Sequence, residues 1–274
     1  MSTKLKVESK KLKVTLFYPL FCTFYLLVSC GGDEKTNAEL PQNDSTQIQV
    51  IANTGEAEII EPIVDEKIVE LENNGIKLTE IKAEPSEAVL TLNTKSFNEG
   101  KNQLQFAVSG VDNYTISYLA NNYTLTQFSS DVFEVEYLYG NNVFLAFLTD
   151  KNNISIKTNK GCVLRNVVLG AGMESLFDMN QPHLFYYMPQ QHTDVPILDF
   201  YLVNTTIAEG GNKVKVTING TEFLISKWAA YQITGLTKPD NTIRIQLIDK
   251  KGKLIEGPFN DSGERSFQIV NKAS

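Results

Sequence analysis

Lys213-Val214-Lys215-Val216-Thr217-Ile218 places a large apolar residue at every second position and runs into Asn219-Gly220. A pleated strand sends successive side chains to opposite faces, so a strand buried on one side must alternate in this way. Gln103-Leu104-Gln105-Phe106-Ala107-Val108 repeats the pattern and is followed closely by Gly110. In each, the apolar set shares one face, and Gln103, Gln105, Lys213 and Lys215 point the other way. From Ile76 onward, runs rich in Val, Ile, Thr, Phe and Tyr alternate with Asn, Asp and Gly. Those turn residues supply the positive φ that tight hairpins need.

The two runs also sit in similar surroundings. Glu99-Gly100-Lys101-Asn102 precedes one and Glu209-Gly210-Gly211-Asn212 the other, at an offset of 110. Asn142-Val143-Phe144-Leu145-Ala146-Phe147-Leu148-Thr149-Asp150-Lys151 matches Asn241-Thr242-Ile243-Arg244-Ile245-Gln246-Leu247-Ile248-Asp249-Lys250 at an offset of 99. Between them, Leu125-Thr126-Gln127-Phe128 matches Ile225-Ser226-Lys227-Trp228 at 100. The spacing predicts a duplicated module of about 75–80 residues. Its strands predict an all-β chain of two tandem antiparallel immunoglobulin-like β-sandwich modules, at residues 76–158 and 197–274, with 159–196 as the connection. One larger sandwich built from both copies is the alternative.

Ahead of the modules the chain is of another kind. Lys4, Lys6, Lys10, Lys11 and Lys13 form a basic start, and residues 14–28 are mostly apolar. A run of about 15 residues is shorter than the roughly 20 a spanning helix needs, so residues 1–29 read as a cleaved leader and not as an uncleaved span. The leader ends in Leu27-Val28-Ser29-Cys30. This resembles the bacterial lipobox, which implies cleavage before Cys30, recognition through Leu27, Val28 and Ser29, and lipid on the Cys30 sulfur. Two or more acyl chains anchor a protein stably. Gly31-Gly32-Asp33-Glu34 follows and resembles lipoproteins sent to the outer membrane, with the cell surface favoured over the periplasmic face. The net charge of −7 is uneven, because residues 33–84 hold thirteen acids against four Lys. Residues 30–75 therefore read as an acidic flexible tether. Nothing is basic enough for nucleic acid.

The second copy resembles a known group. Leu198-Asp199-Phe200-Tyr201-Leu202-Val203-Asn204, Val216-Thr217-Ile218-Asn219-Gly220, Tyr231-Gln232-Ile233-Thr234-Gly235-Leu236, Asn241-Thr242-Ile243 and Leu247-Ile248-Asp249 form its strand-and-turn series. That series is similar to uncharacterised surface and outer-membrane lipoproteins of Bacteroidota with tandem immunoglobulin-like modules, some of them called phosphopeptide-binding. The likeness implies a fold and no chemistry. The Gly-Arg and Ser-x-x-His signature of phosphothreonine-reading forkhead-associated domains is missing from the sequence.

No cofactor and no enzymatic constellation is expected: Gly-x-Ser-x-Gly, His-Glu-x-x-His and the phosphate loop are all missing from the sequence. Asp112, Asp150, Asp240 and Asp249 read as turn residues. Met173, Met179, His183, Met188 and His192 concentrate soft and imidazole donors that suit copper, which is the alternative function. Pro182 breaks any helix that would align Met179 with His183, and Met commonly fills packing gaps. Cys162, beside Val163-Leu164, reads as a buried, unreactive thiol. Phe128 and Trp228 are the candidate ligand-binding aromatics, each weighed against a place in its module's core. The sequence thus predicts a non-enzymatic, lipid-anchored envelope module that binds a protein or glycan partner.

Overall fold

A computed structural model describes residues 67–187, 189 and 192–270. Leu27, Val28, Ser29 and Cys30, the rest of the leader, most of the expected tether, and Met188 lie outside the described residues.

Every pairing between the named strands is antiparallel, and no helix occurs among the described residues. β1 (Glu70–Asn73) and β2 (Ile76–Ile81) form a hairpin over Asn74-Gly75, both at positive φ. Seven strands follow: β3 (Val89–Leu92), β4 (Gly100–Ser109), β5 (Thr115–Ala120), β6 (Thr124–Phe128), β7 (Val132–Tyr137), β8 (Gly140–Thr149) and β9 (Cys162–Leu169). They make a sheet β3-β4-β7 facing a sheet β6-β5-β8-β9. Seven more repeat the arrangement: β10 (His183–Tyr187), β11 (Ile197–Val203), β12 (Lys213–Ile218), β13 (Thr221–Ile225), β14 (Ala230–Thr234), β15 (Asp240–Ile248) and β16 (Arg265–Gln268). Here the four-stranded sheet is β13-β12-β15-β16, and β10-β11-β14 is extended by β2 and β1. First, second and fifth strands opposite fourth, third, sixth and seventh is an immunoglobulin-like order, present twice.

This corrects the expected boundaries. β1 lies in the segment read as tether, and β2 pairs with β14, so both belong to the second sandwich. β9 lies in the expected connection, yet it closes the first sandwich by pairing with β8, and β10 opens the second. Sequence neighbours need not be sheet neighbours, and β9, with Arg165-Asn166 set between two apolar stretches, carries no period-2 signal.

The duplication is real, but one register is wrong. β4 is the second strand of its sandwich and β12 the third, so the offset of 110 joins non-equivalent strands. The partner of β12 is β5: Asn121 follows β5 and Asn219 follows β12, 98 residues on, and each side chain accepts from the backbone N–H of Val143 or Thr242. From β8 onward the offset of 99 holds. Asp150 Oδ1 caps the N–H groups of Asn152 and Ile154, and Asp249 Oδ1 caps those of Lys251 and Lys253. The alternating reading survives in both runs. Leu104, Phe106, Val214, Val216 and Ile218 are buried, Val108 is half-buried, and Gln103 and Gln105 are exposed.

Three apolar layers result. Phe144, Ala146 and Leu148 of β8 fill the first sandwich, and Ile243, Ile245 and Leu247 of β15 fill the second. Leu145 and Phe147, on the opposite face of β8, pack with Leu119, Phe185, Tyr187 and Tyr201 in a third layer. The four-stranded sheet of the first sandwich thus lies against the five-stranded sheet of the second. Burying one such Leu or Phe contributes about 1.5–3 kcal/mol. Lys157, between β8 and β9, crosses this junction to Asp199 of β11, with both side chains under a tenth exposed. Asp199 also accepts from the N–H and hydroxyl of Ser155.

Candidate functional site

In each sandwich the fourth and fifth strands lie on the same side; the fourth ends its sheet in both, and the fifth ends its sheet only in the first. In the first sandwich these are β6 and β7. Among the described residues both stay edges, and a groove of about 460 Å³ opens between them. Their chemistry is that of edge strands: Thr124, Thr126 and Gln127 on β6 and Glu134 and Glu136 on β7 are exposed. A volume of this size is within the ordinary range of roughly 300–1,000 Å³ for ligand clefts.

The floor is aromatic. Tyr118 of β5 donates its hydroxyl to that of Tyr137 at 3.3 Å, and both rings are buried. Burial pushes the Tyr137 phenol up to about 12 and that of Tyr118 further. Both stay protonated at neutral pH, so the floor offers neutral hydroxyls and ring faces and no acid–base couple. Phe128 closes one end, stacked on Phe133 at 3.7 Å between centroids with the rings 4° from parallel. Leu138, 68% exposed, extends the other end. On the rim Glu134 holds Lys101 at 2.8 Å across β4–β7, and the Lys101 pKa is raised by that hydrogen bond and charge. Exposed pairs of this kind contribute little to stability.

β7 has backbone groups left for a partner. Phe106 N–H donates to Asp131 C=O, so Asp131 and, by alternation, Phe133, Val135 and Tyr137 turn their backbone toward β4. Val132, Glu134 and Glu136 turn theirs to the open side. Ser130 Oγ takes up the N–H and C=O of Val132, and the Asn142 amide takes up those of Leu138. Glu134 and Glu136 stand between those two caps.

In the second sandwich the same space is occupied. β2 pairs along β14 from Ala230 to Thr234, β1 lies beyond it, and Asn73 donates to the Glu222 carbonyl of β13. Leu78 is fully buried there and Leu71 packs on the same core. A hairpin of the chain itself fills the gap that stays open in the first copy.

The expected aromatics part company. Phe128 faces Ile116 across β5–β6, as Ile225 faces Val214 across β12–β13, so Ile225 and not Trp228 is its counterpart. Phe128 both packs on the core and lines the groove. Trp228 stands at the junction of the sandwiches, its indole N–H donating to Phe200 C=O at 3.2 Å and its ring edge-on to Tyr201. It borders a smaller depression of about 310 Å³ with Glu80 and Lys157. Lys157 is bound there to Asp199, Ser155 and the Phe200 carbonyl. Burial pushes its pKa down, and the Asp199 charge opposes that.

The Met/His window is spread over unlike surroundings. His183 is fully buried in β10, stacked on Phe177, its Nε2–H donating to Asp178 C=O, and burial lowers its pKa. Met179 packs into the layer between sandwiches, Met173 is exposed near Gly170, and His192 is exposed with its N–H on Gln268 C=O. Among the described residues no three His, Cys, Asp or Glu converge as a metal set. Cys162 is half-buried, and burial pushes its thiol up to about 11.

Fold and site together define a tandem immunoglobulin-like β protein with a groove between two free strand edges. No known protein family and no curated protein matches the chain. Among solved structures, the fibronectin(III)-like modules of Clostridium thermocellum CbhA resemble it at 10% identity and a TM-score of 0.23, over 67% of this chain and 94% of that one. The fold assignment stands on strand order, not on that superposition.

Proposed function

We propose that this chain is a non-enzymatic interaction module of a bacterial envelope, lipidated on Cys30 and held by an acidic tether, that binds a protein or glycan partner in the groove between β6 and β7. The observation that carries the binding site is the pairing of two edge strands over a floor of Tyr118, Tyr137 and Phe128. Ring faces and neutral hydroxyls suit recognition and supply no nucleophile or base. The anchor rests on the sequence Leu27-Val28-Ser29-Cys30.

Two experiments test the two halves. Cys30→Ala expressed in a bacterium that acylates lipoproteins should accumulate precursor and lose incorporation of labelled fatty acid; full incorporation would remove the anchor. Thr126→Arg, which fills the groove from an exposed position, should abolish capture of envelope partners by the purified full chain. An unchanged partner set would show that the groove is not the binding site.

A further inference from the structure

We infer that the free edge of β7 takes an extended peptide strand from a partner protein, in the way that β14 takes β2. This rests on the reading of the β6/β7 groove as a binding site and names its occupant.

The duplication supplies the argument. Glu134 corresponds to Gln232 and Glu136 to Thr234, since β7 and β14 are both fifth strands of matching sandwiches, begin at Val132 and Ala230, and Ile233 N–H donates to Pro196 C=O on the inner side, which leaves Gln232 and Thr234 turned to β2. Gln232 and Thr234 lie opposite Thr79 and Lys77 of β2. Glu134 and Glu136 turn the same backbone groups outward, and the caps on Val132 and Leu138 leave room for a short strand between them. Such addition satisfies main-chain donors and acceptors, and alternate side chains give specificity. Residues of the added strand that face inward meet Phe128 and Tyr118, as Leu78 enters the core of the second sandwich. Residues that face outward meet the carboxylate of Glu136 and that of Glu134, which already holds Lys101, and there opposite charge across strands is favourable and like charge is not. The occupant is therefore an extended segment with apolar residues at alternate positions and Lys or Arg between them.

The test uses the full chain and a blocked synthetic peptide of alternating Val and Lys, with a scrambled peptide and an alternating Val and Glu peptide as controls. The alternating Val and Lys peptide should bind and slow amide exchange at Glu134 and Glu136. Glu136→Pro removes an N–H from the open side without removing a bond to β4, so the sheet is kept. It should weaken binding about tenfold, as loss of a strand-edge hydrogen bond would. Glu134→Lys/Glu136→Lys leaves the backbone intact and should transfer preference to the Val and Glu peptide, which keeps the test open if the proline variant fails to fold. Peptide binding without protection of those amides, or indifferent to both variants, overturns strand addition while leaving the groove a site. An oligosaccharide that binds, is blocked by Thr126→Arg and ignores Glu136→Pro overturns it as well. No peptide binding together with unchanged partner capture by Thr126→Arg overturns both readings.

Discussion

Lys157 and Asp199 are joined across the two sandwiches with side chains 9% and 5% exposed. Taking both charges out of water is costly, and their attraction offsets that cost only while the pair is intact. Lys157→Met should therefore destabilise the protein by about 3–5 kcal/mol, because Asp199 stays buried as an unpaired anion. Lys157→Met/Asp199→Leu removes the unpaired charge but also the acceptor of the buried Ser155 N–H, so it should recover only part of the loss in urea unfolding. A single variant as stable as the parent would show that the junction does not depend on the pair. Cys162 is half-buried where the sequence predicted a buried residue, and burial pushes its thiol up to about 11. At pH 8 about one thiol in a thousand is ionised at that value, so a thiol reagent should react slowly until denaturant is added. Because the folded value lies above the unfolded one, the contribution to stability is whole below about 9 and fades as pH climbs through about 11. Cys162→Ala should flatten the alkaline fall of the melting temperature in that window.

At the scale of elements, alternation was legible and strand identity was not. Leu104, Phe106, Val214 and Val216 point inward as their pattern requires, yet β4 and β12 share that pattern without sharing a place. Period-2 alternation reports one buried face and says nothing of strand order. What distinguishes position is a turn residue bound to another strand, as Asn121 accepts from Val143 N–H and Asn219 from Thr242 N–H; a local turn motif alone does not, since Asn102 also donates to Asn98 and Gly100 C=O. Asn241, 2% exposed, donates to the carbonyls of Lys238 and Pro239, and Asn142 donates to those of Leu138 and Gly140. Asn241→Ala and Asn241→Asp should each cost about 1–3 kcal/mol, since only the amide satisfies those acceptors. An Asp variant with the parent's melting temperature would refute the assigned donors. Gly235 is the other telling residue: a Cβ there would lie 1.9 Å from the Gly75 carbonyl oxygen, so Gly235→Ala should lift the hairpin tip and speed amide exchange along β2. The groove left only a faint trace in the sequence, the exposed polar residues of β6, because an edge exists only relative to strands that fail to cover it.

At the largest scale, the described residues form two sandwiches sharing a layer. Continuous apolar runs carried that message: residues 143–148 and much of β10 and β11 have no polar alternation, as strands buried on both faces do not. Phe147 contributes to neither sandwich core, only to the layer between them. Phe147→Ala should nonetheless destabilise both, by about 3–5 kcal/mol, and accelerate exchange in β4 and β12 together. The parent should unfold in one cooperative step. Two resolved transitions, or a Phe147→Ala effect confined to the first sandwich, would show that the shared layer does not couple them.

The hairpin β1–β2 has a consequence for the order in which the chain is made. Leu78 leaves the ribosome about 150 residues before Ile233, the residue it will lie beside. At about 5–20 residues per second that is a wait of roughly 8–30 s. All strands of the first sandwich emerge in the interval and can close on one another, since every partner they need lies between Val89 and Leu169. During that time β7 can already present its edge to an unpaired hairpin from the same nascent chain, and Lys77 of β2, opposite Thr234 in the finished fold, would lie opposite Glu136 there. Synthesis thus offers the hairpin the edge of the first sandwich before the strand it finally pairs with exists.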